Sequence, residues 1–397
     1  MRFWRVLLFT FVGAASGGAA AADLGWVRGY AHRVAIRVEA GGFARVDRPV
    51  EVDLAEVVRR YEKAAFGGIA VFERRGERLA PLPFQFDADG GVLTFVMDGA
   101  TAAGAVRQFD VYFGRGDAGG EEGPAVLKHV SVELVEAHEG QAAFCIRGRN
   151  ATYYYHKLGA GFASMEDRDG QDWLGYNPGV GAESKSGSGG KYRGTPNMGH
   201  PEGYCHPGNA VSDSRVVAAG PIRATLESRS NDGKMHCRWD IFANWARMTV
   251  LKMRLPYWFL YEGTPGGKLD METDACIRVD GDGVLVTAAG EKWQGDLRGA
   301  DGLEWVAFAD RKAGRSLVVV HHRDDDAVDS YWPMNGEMTV FGFGRLGLEK
   351  FIMQVGAQFT VGLVDSTDAG EIRAVVNNAC QPLEIVVGPV ENRPTGD

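Results

Sequence analysis

Most residue patterns that announce a chemistry are missing from this sequence. The five cysteines (Cys145, Cys205, Cys237, Cys276, Cys380) are far apart and make no CxxC pair, so neither a zinc ribbon nor a redox dithiol can be read from them. Their odd number leaves at least one free or intermolecular, and their apolar surroundings favour buried thiols with room for one disulfide. Lysine and arginine total 43 against 52 acidic residues, a formal net charge of -9, which offers no basic face to a nucleic-acid backbone. Past the first residues no apolar run is long enough to span a bilayer, so no stable membrane insertion is expected. No repeat of fixed period emerges, which argues against a propeller. Gly179 to Gly190 has the glycine content of a phosphate loop without its order of glycine, lysine and hydroxyl before a helix; a mobile loop is the better reading. No Ser-His-Asp nucleophile pattern stands out.

What is present is a long series of short alternating stretches. The chain is 45% hydrophobic and 24% charged, an ordinary globular balance, and its 55 glycines follow no period, which suits many tight turns between short strands. Period-two patterns run through His32–Glu39, Phe43–Asp53, Ile69–Glu73, Pro83–Asp87, Val92–Met97 and Phe109–Phe113. They resume at Lys128–Glu136, Val216–Arg229, Met235–Phe242 and Arg247–Leu255, and further short strands continue to Leu383–Val387. Helix candidates are few: Asp53 to Ala64, which reads equally as an extended connection, and Arg345 to Val355, whose alternative is another strand.

This pattern predicts an all-β protein in several parts. Residues 1–22 read as a secretory signal, with Arg2 and Arg5, an apolar Val6 to Val12 and small residues at Ala19 to Ala22, so a secreted or periplasmic location is expected. Residues 23–117 suit a small antiparallel β-sandwich. The polar, glycine-rich stretch beginning at Asp117 makes 118–126 a linker. Residues 127–397 hold too many strands for a simple sandwich and suit a large antiparallel β-supersandwich with one concave face.

One stretch departs from this regularity. Asn150 to Gly208 carries clustered tyrosines, three histidines and many glycines with almost no apolar period, the mark of a segment that lines a site. Its middle, Asp167-Arg-Asp-Gly-Gln-Asp172, is most simply a turn with Asp169-Gly170 at its tip.

The small N-terminal sandwich, polar junction and supersandwich resemble secreted polysaccharide lyases and related proteins with a galactose-mutarotase-like domain. The stretches carrying the resemblance are Pro83-Phe-Gln-Phe-Asp87 with Gly104-Ala-Val-Arg-Gln-Phe-Asp-Val-Tyr-Phe113, and Trp258-Phe-Leu-Tyr-Glu-Gly-Thr-Pro-Gly-Gly267. The resemblance implies a glycan ligand on the concave sheet; no catalytic motif can be transferred from it.

β-Elimination from a uronate-containing glycan needs a base for the proton beside the carboxylate, an acid for the leaving oxygen, and donors that neutralise the carboxylate. The irregular segment is rich in such groups. Tyr154 and His156 share one face of a strand and supply a base and an acid, with His200 or His206 as the complementary partner. Lys157 and Arg193 suit the carboxylate, and Tyr192, Trp173, Tyr176 and Trp332 suit sugar rings. Packed tyrosines and satisfied histidines are the plainer alternative for each residue taken singly. Hydrolysis would need two carboxylates, for which Glu183, Glu202, Glu262 and Asp270 remain; a non-catalytic carbohydrate-binding protein is the rival outside enzymes. No cofactor is required, although the aspartate turn is compatible with calcium and His200, Glu202 and His206 with a transition metal. His321-His-Arg-Asp-Asp-Asp326 reads as a solvated turn or a second wall of the cleft.

Overall fold

A computed structural model describes residues 26–115, 129–176, 193–200 and 202–394. The expected signal at 1–22, the linker at 118–126, the loop Gly179 to Gly190, Glu183 and Tyr192 lie outside the described residues.

The alternating N-terminal stretches become two facing antiparallel sheets. One has five strands in the order Glu384–Asn392, Tyr30–Glu39, Val106–Arg115, Ala70–Arg75 and Arg78–Leu82; the other has three, Arg45–Asp53, Val92–Thr101 and Phe84–Asp87. The inward residues of each period, among them Val34, Ile36, Val50, Phe95 and Val111, form one buried core. The last strand of the chain, placed by sequence with the larger unit, instead pairs antiparallel with Tyr30–Glu39 and closes the small sandwich.

The remaining strands make two large layers. The first is a nine-stranded sheet in the order Ser212–Ala219, Ala224–Ser230, Met235–Ile241, Ala246–Met253, Gln358–Val364, Arg315–His321, Glu304–Asp310, Ala275–Asp280 and Gly283–Ala288. Facing it are two four-stranded sheets. One runs Gly161–Glu166, Thr152–His156, Gln141–Arg147, Ser131–His138; the other runs Phe259–Gly263, Met338–Phe343, Asp329–Met334, Trp293–Gly295. Aromatic rings lock the layers together, with Phe162 against Trp239 at 4.6 Å and Phe259 stacked on Phe359 at 4.4 Å.

The irregular segment joins the two four-stranded sheets. On one side Phe162 N donates to Thr195 O (2.7 Å) and Thr195 N to Phe162 O (3.2 Å). On the other, Glu262 N donates to Gly194 O (3.0 Å) and Asn197 N to Leu260 O (3.3 Å). Residues 194–197 therefore fill the gap as a ninth, irregular strand. Glycine is required at 194: at φ +151° a Cβ would lie 2.0 Å from Phe162 O.

One of the two helix candidates forms, the other does not, and one helix forms that the pattern did not predict. Helix α1, Ala55–Tyr61, falls inside the predicted Asp53 to Ala64. The stretch from Arg345 to Val355 is no helix: Arg345–Leu346 and Glu349–Lys350 form a tight hairpin, with Gly344 and Gly347 both at positive φ. Helix α2, Ala369–Cys380, escaped the sequence reading; Asp368 caps its first turn, and Ile372 and Val376 bury against the large sheet.

Arg45 ties α2 to the small sandwich. Its side chain is wholly buried and donates to the carbonyls of Ala40 (2.9 Å), Asn377 (2.8 Å), Gln381 (3.1 Å) and Pro382 (2.9 Å). A cation at the end of a helix satisfies carbonyls that have no intrahelical donor.

Candidate functional site

Strand alternation decides which side chains leave the core. Tyr153 and Tyr155 pack inward with Phe162, so Tyr154 and His156 face outward. By the same rule Phe259 and Tyr261 point inward and Glu262 outward, and Trp332 faces opposite to the buried Tyr331. These outward residues, together with residues 198–200 and 202–208, occupy the outer face of the second layer.

Near the Phe259–Gly263 strand this face gathers an unusual set of buried polar groups. The Glu262 carboxylate accepts from Asn197 Nδ2 (2.6 Å) and from Arg193 Nη1 (3.2 Å). The His200 and His206 rings lie 5.3 Å apart, 30° from parallel, and the His200 ring sits 6.2 Å from that of Trp258. The Arg345 guanidinium lies over two indoles, 5.0 Å from Trp258 and 4.2 Å from Trp332. Lys350 lies 5.1 Å from the Trp258 ring and pairs with Glu202. Tyr176 reaches the edge of the group, its hydroxyl 3.4 Å from Glu337 and within the field of Arg193.

Several of these buried atoms lack a hydrogen-bond partner: His200 Nε2, His206 Nε2, Asn197 Oδ1 and Arg345 Nη1. Such orphans are costly, and a cluster of them in one place marks where a ligand's polar atoms belong. Burial also sets the protonation states. It lowers His200 to about 4, helped by the neighbouring His206, and lowers His206 as well. It brings Arg345 down to about 10. His206 Nδ1 donates to Pro207 O at 2.8 Å, which puts the proton on Nδ1 and leaves a lone pair on Nε2.

The residues predicted from sequence divide three ways. Arg193, His200, His206, Tyr176 and Trp332 are brought together. His156 does a different job: its Nε2 donates to His138 O (2.9 Å), its Nδ1 accepts from Gly208 N (2.9 Å), and burial lowers it to about 4. With both nitrogens committed to the backbone, it anchors the loop behind His206 and has no proton to exchange. Gly161 makes room for that loop, since a Cβ there would meet Pro207 at 2.7 Å. Tyr154 stacks on His138 at 3.8 Å, away from the histidine pair's contacts, and burial raises its phenol, the wrong direction for a base. Trp173 is fully buried and donates to Asp167 Oδ2 (3.2 Å), so it offers no face to a sugar. Lys157 sits 3.7 Å from Asp213 in a surface ion pair.

Two further readings change. The aspartate turn already holds a cation: Arg315 Nη1 is 2.8 Å from Asp167 and 2.6 Å from Asp169. The His321–Asp326 stretch is no solvated turn at its start. His321 is fully buried and meets the equally buried Glu304 at 2.7 Å, with Asp325 close by. Among the described residues the groups of three with ligand atoms within 4.8 Å of one another both contain Glu304; neither includes His200 or His206.

These buried groups predict a bell-shaped stability profile. His156, His200 and His321 (each about 4) and His322 (about 3) are neutral when folded but gain protons near 6.5 when unfolded, so stability falls as pH drops below about 6.5. Burial raises Glu304 to about 9 and raises Asp329 too, so their contribution is lost as pH climbs toward 9. Thermal melts across pH 4 to 9 should peak near pH ~6.5. Glu304→Gln should make the alkaline fall shallower and the acid fall steeper, because its contribution is lost across the whole range from about 4.5 to 9. A profile without an alkaline fall contradicts the assignment.

The fold and site thus define an all-β protein of two packed sandwiches with a buried ionisable cluster on an outer sheet face. No family model matches the sequence, and no curated protein matches it. Solved structures with similar folds include a candidate mutarotase (YeaD) from Salmonella typhimurium, at TM-score 0.38 and 11% identity over 59% of this chain and 94% of that one. The α-galactosidase of Lactobacillus brevis is similar at TM-score 0.35 and 9% identity, over 60% of this chain and 41% of its own. An insertase, YidC, is similar at TM-score 0.33 and 11% identity, over 63% of this chain and 44% of its own. No activity is carried across at these levels of likeness. No helix among the described residues is long and apolar enough to cross a membrane.

Proposed function

We propose that this is an exported enzyme that binds an acidic polysaccharide on the outer face of the second layer and cleaves it by β-elimination. The observation that carries this reading is the neutral His206, with its proton fixed on Nδ1 and its Nε2 lone pair unpartnered, in a cluster that runs through His200 and Trp258 to the buried Arg345 guanidinium and its unpartnered Nη1. A neutral imidazole accepts the proton beside the uronate carboxylate. Arg345 Nη1 neutralises the carboxylate as negative charge builds up next to it, and Lys350 joins it by leaving Glu202. The Tyr176 hydroxyl, whose pKa burial and Glu337 raise, protonates the departing glycosidic oxygen. Both histidine rings are covered, so catalysis through them requires the sugar chain to displace their cover as it enters.

Two-carboxylate hydrolysis finds less support. Glu262 is clamped by Arg193 and Asn197, and Glu202 is paired with Lys350, so neither is free to act as an acid.

Trp332 links the buried cluster to open surface. It lies over Arg345 on one side and on the other lines a hollow of about 520 Å³ with Lys292, Trp293, Gln294 and Ser330. A sugar ring stacking there would place its neighbour toward Arg345. Titration with a uronate oligosaccharide and with its carboxyl-reduced counterpart tests the reading. The charged ligand should bind at least ~10-fold tighter, and Trp332→Ala should weaken it by about 10-fold. Equal binding of both ligands, or no effect of Trp332→Ala, would rule out this face as the acidic-glycan site.

A further inference from the structure

We propose that Cys205 and Cys237 form a disulfide that pins the His206 turn to the large sheet. Their sulfurs are 3.6 Å apart, in van der Waals contact, and both residues are wholly buried. Cys237 lies on the strand Met235–Ile241 and points into the core between the layers. Cys205 belongs to the second layer and immediately precedes His206. The bond would therefore cross the sandwich from one layer to the other. Bond formation has to close the sulfurs from 3.6 Å to about 2.05 Å, a shift confined to one turn residue and one strand residue.

The turn has a use for such a tie. Cys205 has a backbone φ of +45°, a left-handed conformation that a non-glycine residue holds only when its surroundings impose it. Its sulfur otherwise meets only soft contacts, including Met235 Sδ at 3.5 Å. The other three thiols have separate environments. Cys145 pairs in register with Tyr154, Cys276 accepts from Trp293 Nε1 at 3.3 Å, and Cys380 ends helix α2. Burial raises Cys205 well above an ordinary thiol, so the native fold protects these sulfurs and the bond must form while the chain is still folding.

The chemistry is thiol–disulfide exchange with a disulfide carrier of the export compartment, or with oxidised glutathione in vitro. One thiolate attacks the carrier disulfide and displaces a carrier thiol, giving a mixed disulfide. The second cysteine then attacks its own chain's sulfur and releases the other carrier thiol. The Cys205–Cys237 bond forms, both thiol protons are lost, and two electrons reduce the carrier. The inference rests on the export reading and not on β-elimination, so the two fail separately.

The test is refolding the full chain from denaturant in a glutathione redox buffer, alkylating under denaturing conditions and mapping peptides without reduction. The expected map joins the Cys205 and Cys237 peptides and shows alkylation at Cys145, Cys276 and Cys380. Full alkylation of all five cysteines, or any other pairing, overturns the proposal. As a second reading, adding reductant should lower the Tm of the oxidised protein by on the order of 5 °C, and should leave a Cys205→Ala/Cys237→Ala variant unmoved. Should that variant fail to fold, the peptide map of the natural chain decides alone.

Discussion

His206→Gln should reduce the rate of uronate elimination by about 10²- to 10⁴-fold, the range expected when a positioned proton acceptor is lost. Glutamine is the informative replacement. His206 is wholly buried, so alanine would leave a cavity and confuse lost catalysis with lost packing. A glutamine side chain is close in size and polar; its amide follows the Nε2 position, so it gives up the Nδ1 donation to Pro207 O that now orients the ring at 2.8 Å. What disappears is the basic lone pair at Nε2. The expected signature is a fall in kcat with KM little changed and a Tm within a few degrees of the parent. A variant that keeps its rate would mean that His206 is a packing residue. A variant that melts far below the parent would make the ring structural.

Arg45→Met should cost about 3–5 kcal/mol of stability, the scale for losing one side of a buried charged network. Methionine keeps the length and most of the packing but removes every donor. The carbonyls of Ala40, Asn377, Gln381 and Pro382 would then lie buried with fewer partners, and the end of helix α2 would lose its cation. Burial already lowers the pKa of Arg45, so holding the charge there costs the fold something that only those carbonyls return. A fall in Tm on the order of 5–10 °C is expected. A Tm within a degree of the parent would show that the joint between α2 and the small sandwich depends on something else.

Much of the fold was legible because strands declare themselves locally. Period-two stretches such as His32–Glu39 and Val92–Met97 fall within observed strands, and their inward residues, among them Val34, Ile36, Leu93 and Phe95, became core. The hairpin at Arg345 was not legible: Arg-Leu-Gly-Leu-Glu-Lys has acceptable helical composition, and only the positive φ of Gly344 and Gly347 breaks it. Helix α2 was hidden in the opposite way, since Ala369–Cys380 has a weak apolar stripe and is held by tertiary burial of Ile372 and Val376. Pairing of the last strand with Tyr30–Glu39 depends on a contact across nearly the whole chain, which no local pattern records.

The site was half legible for the same reason. Composition pointed to the segment holding Arg193, His200 and His206, and glycine-rich irregularity marked it as something other than core. The face of Tyr154 and His156 was read correctly from alternation. The role of His156 was not, because its partners are the backbone of His138 and Gly208 and a sequence does not show which carbonyl a ring will meet. Trp173 looked like a platform beside glycine and aspartate, yet Asp167 draws its indole inward. Glu262, Arg345 and Lys350 come from separate strands, and only the packing of the second layer brings them to the histidines.

The central claim is most directly tested by product chemistry. The full chain is incubated with a panel of uronate-containing and neutral polysaccharides while absorbance of unsaturated uronate and release of reducing ends are followed together. Both signals should rise on an acidic glycan and neither on a neutral one. Reducing ends without the unsaturated product would show a hydrolase, and binding without either signal across the panel would show a protein that holds glycans without cleaving them; each result contradicts β-elimination at His206.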